Sequence, residues 1–152
     1  MTTKKHSPTS TGNTAQNLIA TADMLRKECN ILLHPLAIND SQVKILNILM
    51  NSDNEANTGV PQIVISNILG VHRSNITAMI RKMEKAGWVA RHSANNNKKT
   101  KFVALTPAGR KIATNANAVY QSCIQRILDG ISDAEQQQLN EILSHLQRQL
   151  NV

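Results

Sequence analysis

Arg73, Ser74, Asn75 and Thr77 lie within five consecutive positions and offer the side-chain chemistry that reads a base edge. Arginine forks onto guanine O6 and N7 or onto a phosphate, and asparagine pairs with adenine through its amide. Serine and threonine hydroxyls bond a phosphate or a base edge. Arg81 follows two helical turns after Ser74, within reach of a sugar–phosphate backbone. Further along, Lys98, Lys99 and Lys101 form a second cationic group, suited to an adjacent minor groove or its phosphates. All of them belong to one segment. Between His72 and Lys111 stand ten basic residues and one acid, Glu84, a balance of +9. The whole chain has 17 Lys and Arg against 10 Asp and Glu, a net +7, so the remainder carries −2. Charge gathered in this way points to a localised polyanion-binding face. The plainer reading of the same residues is a helix start and a hairpin that lysines keep soluble.

Other chemistries find little support. There is no nucleophile elbow, P-loop or dinucleotide fingerprint, so no catalytic residues and no cofactor are expected. His6, His34, His72, His92 and His145 are scattered, and no pair has the spacing of a helical metal site. Cys29 with His34 comes closest, five residues apart across a helix end, and no metal is expected there. Cys29 and Cys123 are far apart on apolar stripes and read as reduced, inert thiols of a cytoplasmic protein rather than a disulfide framework. Aromatic residues make up 2%, namely Trp88, Phe102 and Tyr120, too few for a base-stacking platform or a cationic cage. No apolar run approaches the ~20 residues of a membrane span, and no signal-peptide core follows the N-terminus.

These side chains need elements to position them. With 152 residues and 41% hydrophobic content, the chain can build one domain with a core. Residues 1–12 lack apolar content and read as a flexible tail. Leu18, Ala22, Leu25, Cys29 and Leu32 recur at spacings of three and four, an amphipathic helix ending near Pro35. Asn39 with Gln42 forms a capping box for a second helix, with Val43, Leu46 and Met50 on one face. Residues 51–59 have turn composition, and Pro61 suits the first turn of a short helix over 61–69, closed by Gly70. Another helix spans Arg73 to Ala86, with Ile76, Met79, Ile80 and Met83 as its buried stripe. The pair forms a helix-turn-helix pattern.

A hairpin follows, with strands over 88–92 and 100–105, Val103 and Leu105 facing opposite to Phe102, and a turn at 95–98. Thr106-Pro107 opens a long helix striped by Ala113, Ala116, Val119 or Tyr120, Cys123 and Ile127. Ser132 and Glu135 box the last helix, which carries Leu139, Ile142, Leu143, Leu146 and Leu150. The fold class is therefore mainly α with a small two-stranded β-wing. Its terminal helices carry more apolar surface than the middle of the chain can cover, which implies a homodimer.

At this point the sequence resembles the MarR family of bacterial winged helix-turn-helix transcription regulators, over roughly residues 14–150. Ile38-Asn39-Asp40-Ser41-Gln42 is similar to the family's Leu-Thr-x-x-Gln helix start. Leu69-Gly70-Val71-His72-Arg73-Ser74-Asn75-Ile76-Thr77 is similar to its helix-turn-helix core, Met83-Glu84-Lys85-Ala86-Gly87-Trp88-Val89 to its helix-to-strand passage, and Leu105-Thr106-Pro107-Ala108-Gly109 to its Leu-Thr-x-x-Gly wing exit. Two places depart from it. Asn97 and Lys99 stand where the family has Asp and Arg near the wing tip. His72 stands where an Asp or Ser cap is usual, and is a poorer cap. The resemblance implies a division into an N-terminal dimerisation helix (13–37), a winged helix-turn-helix (38–106) and C-terminal dimerisation helices (107–152). It implies a homodimer on a pseudo-palindromic operator in double-stranded DNA, acting as a repressor released by a small-molecule effector, with no membrane partner. The alternative is a winged-helix module for non-specific DNA or protein contact without an effector.

Overall fold

Asn39 opens the middle of the molecule as the sequence predicts. Its Oδ1 accepts the Gln42 N–H at 3.0 Å, and Gln42 Oε1 accepts the Asn39 N–H at 3.0 Å. The computed structural model describes residues 8–52, 59–94 and 97–150. In chain order the elements are α1 (Pro8–Leu33), a short 3-10 turn (His34–Leu36), α2 (Asp40–Asn51), β1 (Val60–Pro61), α3 (Gln62–Leu69), α4 (Arg73–Lys85), β2 (Val89–Ala94), β3 (Asn97–Leu105), α5 (Pro107–Leu128) and α6 (Asp133–Leu150).

The core forms where α2, α3, α4 and the sheet meet. Leu46, Ile65, Ile76, Ile80, Met83 and Val103 expose none of their surface. Burial of each such side chain contributes about 1.5–3 kcal/mol relative to its exposed state. Met50, read as part of the α2 stripe, lies instead on the exposed last turn of that helix.

Three other expectations are corrected. The tail expected over residues 1–12 is helical from Pro8 onward, while residues 1–7 lie outside the described residues. Proline suits the first turn of a helix, and propagation from an established helix costs far less than nucleation. The short third helix begins at Gln62, one residue later than expected. Val60 and Pro61 are extended and pair with β3, Val60 opposite Val103 and Pro61 opposite Phe102. The wing is thus part of a three-stranded antiparallel sheet in the order β1-β3-β2. A proline is tolerated there because β1 is an edge strand.

The hairpin register places Val89 opposite Leu105 and Arg91 opposite Val103, so Val103 and Leu105 reach the core as predicted. Phe102 turns to the other side and stacks on His92, with ring centroids 5.7 Å apart. Of the turn predicted over 95–98, residues 95 and 96 lie outside the described residues, and Asn97 and Lys98 belong instead to β3, which starts three residues earlier than the strand expected from 100.

The long helices behave differently along their lengths. Cys29 and Leu33, near the end of α1, are buried against α5 and the core, but Leu18, Ile19 and Met24 are exposed. α6 buries none of its residues. On α5, Ala113, Ala116 and Cys123 are buried. Asn117 of α5 and Asn47 of α2 exchange two amide hydrogen bonds of 2.7 and 3.0 Å, tying the long helix to the winged part. Cys29 and Cys123, 94 residues apart and read as separate inert thiols, bring their sulfurs to 3.4 Å.

Candidate nucleic-acid interface

The turn between α3 and α4 is fixed from within. Ser66, buried, donates its hydroxyl to the Val71 carbonyl at 2.6 Å, and the Val71 N–H returns a bond to the Ser66 carbonyl at 3.2 Å. This orients α4 with Ile76, Ile80 and Met83 inward, so its first turn faces solvent. His72 does cap the helix despite its side-chain type. Its Nδ1 accepts the Ser74 N–H at 3.4 Å and lies 2.8 Å from Ser74 Oγ. The cap is real but long, since strong N–H···O bonds cluster near 2.9–3.0 Å.

Arg73, Ser74 and Asn75 are exposed on that first turn, and Arg81 is exposed further along α4. Thr77 is different. It is half-buried, its hydroxyl donates to the Arg73 carbonyl at 2.8 Å, and it accepts from Gln62 Nε2 at 2.5 Å. Thr77 therefore pins the start of α3 to the second turn of α4. Gln62, which no motif or spacing singles out, holds it there. Periodicity marks the buried face of one helix, not a side-chain bond between two, so composition gave no sign of it.

Arg73 and Lys101 come from different elements yet line one cleft of about 140 Å³, with Gln62, Ile63 and Thr100. Among the described residues, no carboxylate lines it. Lys101 is exposed, and its Nζ donates to Ser93 Oγ at 2.7 Å across the hairpin. Lys98 and Lys99 lie on β3, but their side chains, like that of Asn97, are outside the described residues.

The one acid of the basic segment is turned away from this use. Glu84 accepts a bond from Arg91 Nε at 2.8 Å and a second from its Nη2. That bond holds the Glu84 carboxyl below the usual carboxylate range. The pair links the last turn of α4 to β2. A carboxyl with a lowered folded-state pKa stabilises the fold above its unfolded value near 4.5 and loses that contribution as pH falls through the folded value. We expect Glu84→Gln to cost at most about 1 kcal/mol at pH 7, because the pair is partly solvated. The variant should also flatten the stability profile below pH 4.5, measured by urea titration across pH. An unchanged profile would mean the pair does not hold β2 in solution.

A helix-turn-helix whose second helix presents Arg, Ser and Asn beside a basic β-hairpin defines a winged helix-turn-helix protein. Residues 38–101 match the model of the MarR family, and the chain carries a MarR-family domain. The transcriptional repressor MprA of Escherichia coli is 24% identical over 122 residues, covering 80% of this chain and 68% of the relative. Among solved structures, the S. aureus MepR–DNA complex aligns with a TM-score of 0.77 at 16% identity, over 89% of this chain and 96% of that one. CouR from Rhodococcus jostii, solved with p-coumaroyl-CoA, aligns at 0.69 and 23% identity, over 85% and 87%. The fold is therefore that of MarR-family proteins across the long terminal helices as well as the winged domain.

Proposed function

We propose that the protein is a homodimeric, sequence-specific DNA-binding transcription regulator that sets one α4 into the major groove of each operator half-site. The observation that carries this reading is the first turn of α4. It presents Arg73, Ser74 and Asn75 to solvent next to Lys101, with the one acid of the segment held by Arg91. Arg73 and Asn75 read base edges, Ser74 and Arg81 hold phosphates, and Lys98, Lys99 and Lys101 of the wing engage the adjacent minor groove or its backbone. Thr77 contributes by holding α4 at its angle to α3. The likeness to a protein solved on DNA and to a named repressor supports this role. The likeness to one solved with p-coumaroyl-CoA supports release by a small organic ligand.

In this reading α1, α5 and α6 make the dimer, residues 38–106 bind DNA, and the protein works in the cytoplasm as a binding protein rather than an enzyme. Among the described residues no helix is long and apolar enough to cross a membrane.

The test uses an operator selected from fragmented genomic DNA and fluorescence anisotropy against random duplex. Asn75→Ala should reduce the preference for operator by about 1–3 kcal/mol, the size of one base-edge interaction. Lys101→Ala should weaken operator and random DNA alike, and make the log K against log salt slope shallower by about 0.9 for each phosphate that is no longer neutralised. Equal affinity of the unaltered protein for operator and random DNA would favour a non-specific winged-helix module instead.

A further inference from the structure

Of the five consecutive residues from Ile76 to Ile80 on α4, only Ala78 is exposed. Ile76 and Ile80 are wholly buried in the core. Met79 packs against that core from its edge. Thr77 is half-buried, and its hydroxyl is engaged on both counts, donating to the Arg73 carbonyl and accepting from Gln62 Nε2 of α3. A hydroxyl has one proton to donate, so Thr77 holds none in reserve for a base. The second turn of α4 therefore turns one side chain outward, and that side chain is a methyl group.

The neighbours of Ala78 on the helix surface define the face it belongs to. Residues three and four apart share a face. Here these are Asn75 and Ser74 before it, and Arg81 and Lys82 after it, all exposed. Ala78 thus lies at the centre of the polar and cationic face, opposite the buried Ile76, Ile80 and Met83. An α-helix with its side chains is about 10–12 Å across and the major groove is about 12 Å wide. A helix reaches the floor of that groove only where the centre of its inward face carries a short side chain. Alanine is short enough. Its methyl bonds neither a phosphate nor a donor or acceptor on a base edge. The major-groove feature it matches is the C5-methyl of thymine.

We propose that Ala78 is a specificity-determining residue of α4, its methyl packing on the C5-methyl of one thymine in each operator half-site. The inference deepens the proposed function and rests on it. Ser74 and Arg81, one turn before and one turn after, hold phosphates, and Ala78 between them selects a T·A pair. A C·G pair at that place would set the cytosine N4 amino group, a donor without an acceptor, against the same methyl.

The full-length protein is measured by fluorescence anisotropy on an operator selected from fragmented genomic DNA. The thymines of each half-site are replaced one at a time by deoxyuridine, which pairs as thymine does and lacks only the C5-methyl. One position per half-site should weaken the unaltered protein about fourfold, the size of one buried methyl group. At that position Ala78→Gly should bind thymine and deoxyuridine equally, while the other positions respond as before. The ratio of thymine to deoxyuridine is taken within each protein, so the poorer helix propensity of glycine cancels from it. Ala78→Gln is a good helix former whose longer side chain holds α4 off the groove floor. It should lower operator affinity and leave affinity for random duplex unchanged.

Three results would overturn the inference and leave the proposed function standing. One is an operator in which no thymine methyl matters to the unaltered protein. Another is a fourfold loss that Ala78→Gly still shows at the same position. The third is an Ala78→Gln variant with undiminished operator affinity. Equal affinity of the unaltered protein for operator and random duplex would overturn both.

Discussion

Ile142→Asp combined with Leu146→Asp should leave the protein folded but monomeric at micromolar concentration, and operator affinity should fall by a factor on the order of 10² to 10⁴. α6 buries none of its residues within one chain, and Leu139, Ile142, Leu146 and Leu150 are 40%, 58%, 41% and 83% exposed. The first half of α1 is similar, with Leu18, Ile19 and Met24 at 45%, 63% and 68%. A water-facing helix with this stripe gains about 1.5–3 kcal/mol for each Leu or Ile that a partner covers. Two-fold symmetry makes every such burial occur twice. Aspartate at Ile142 and Leu146 takes both apolar side chains from each protomer and places carboxylates at the interface in their stead.

The effect on DNA follows from linkage rather than from touching it. Both residues belong to α6 and neither to α4 or the wing, yet two half-sites held by one dimer bind with an avidity of about 10²–10⁴ over one. Sedimentation velocity reads the assembly and anisotropy reads the DNA. Far-ultraviolet circular dichroism checks that helical content is kept, since the core residues of the winged part are untouched. A dimer that survives both aspartates would place the interface elsewhere.

What the sequence disclosed and what it concealed divide along the range of the interactions. Both capping boxes were legible because they span three residues, and the structure builds them, at Asn39–Gln42 and at Ser132–Glu135. The α4 stripe was legible because a 3.6-residue period repeats over thirteen residues. β1 was not, because a two-residue strand has no period to show and its proline argues for a helix start. The Gln62–Thr77 bond, the Asn47–Asn117 amide pair and the Cys29–Cys123 approach lie 15, 70 and 94 residues apart in sequence. Such meetings are set by how helices cross, which single-chain spacing does not encode. The same limit affects the candidate site. Residue types at the start of α4 could be read directly, but whether Thr77 faces DNA or α3 depends on a partner on another helix.

Gly109→Ala should destabilise the protein by about 3 kcal/mol or more, a fall in melting temperature on the order of 10 °C for a chain of this size. The family-like Leu105-Thr106-Pro107-Ala108-Gly109 passage turns the chain from β3 into α5, and each part has a physical task. Leu105 is buried. Thr106 caps α5, its Oγ1 accepting the Gly109 N–H at 2.9 Å and donating to the Gly87 carbonyl at 2.6 Å. That link draws the first turn of α5 against the end of α4, and a Cβ on Gly109 would lie 1.9 Å from the Trp88 carbonyl oxygen and 2.8 Å from its carbon. Both are backbone atoms, and neither is free to retreat. The Trp88 oxygen accepts the Thr106 N–H at 3.1 Å, and the Trp88 N–H is bonded to the Met83 carbonyl at 2.9 Å.

An overpacked side chain can rotate away at a cost of about 1–3 kcal/mol, but here a backbone hydrogen bond must break or α5 must swing outward. Gly12→Ala is the control. It lies in α1 with no atom within 4 Å of its added Cβ, and should stabilise by about 0.5–1 kcal/mol through helix propensity. Scanning calorimetry of the two variants beside the unaltered protein compares them directly. If Gly109→Ala melts within a degree or two of the unaltered chain, the close approach of α5 to Trp88 does not exist in solution. The angle at which α5 leaves the wing would then have to be set by the Asn47–Asn117 pair and the packing of α1 on α5 instead.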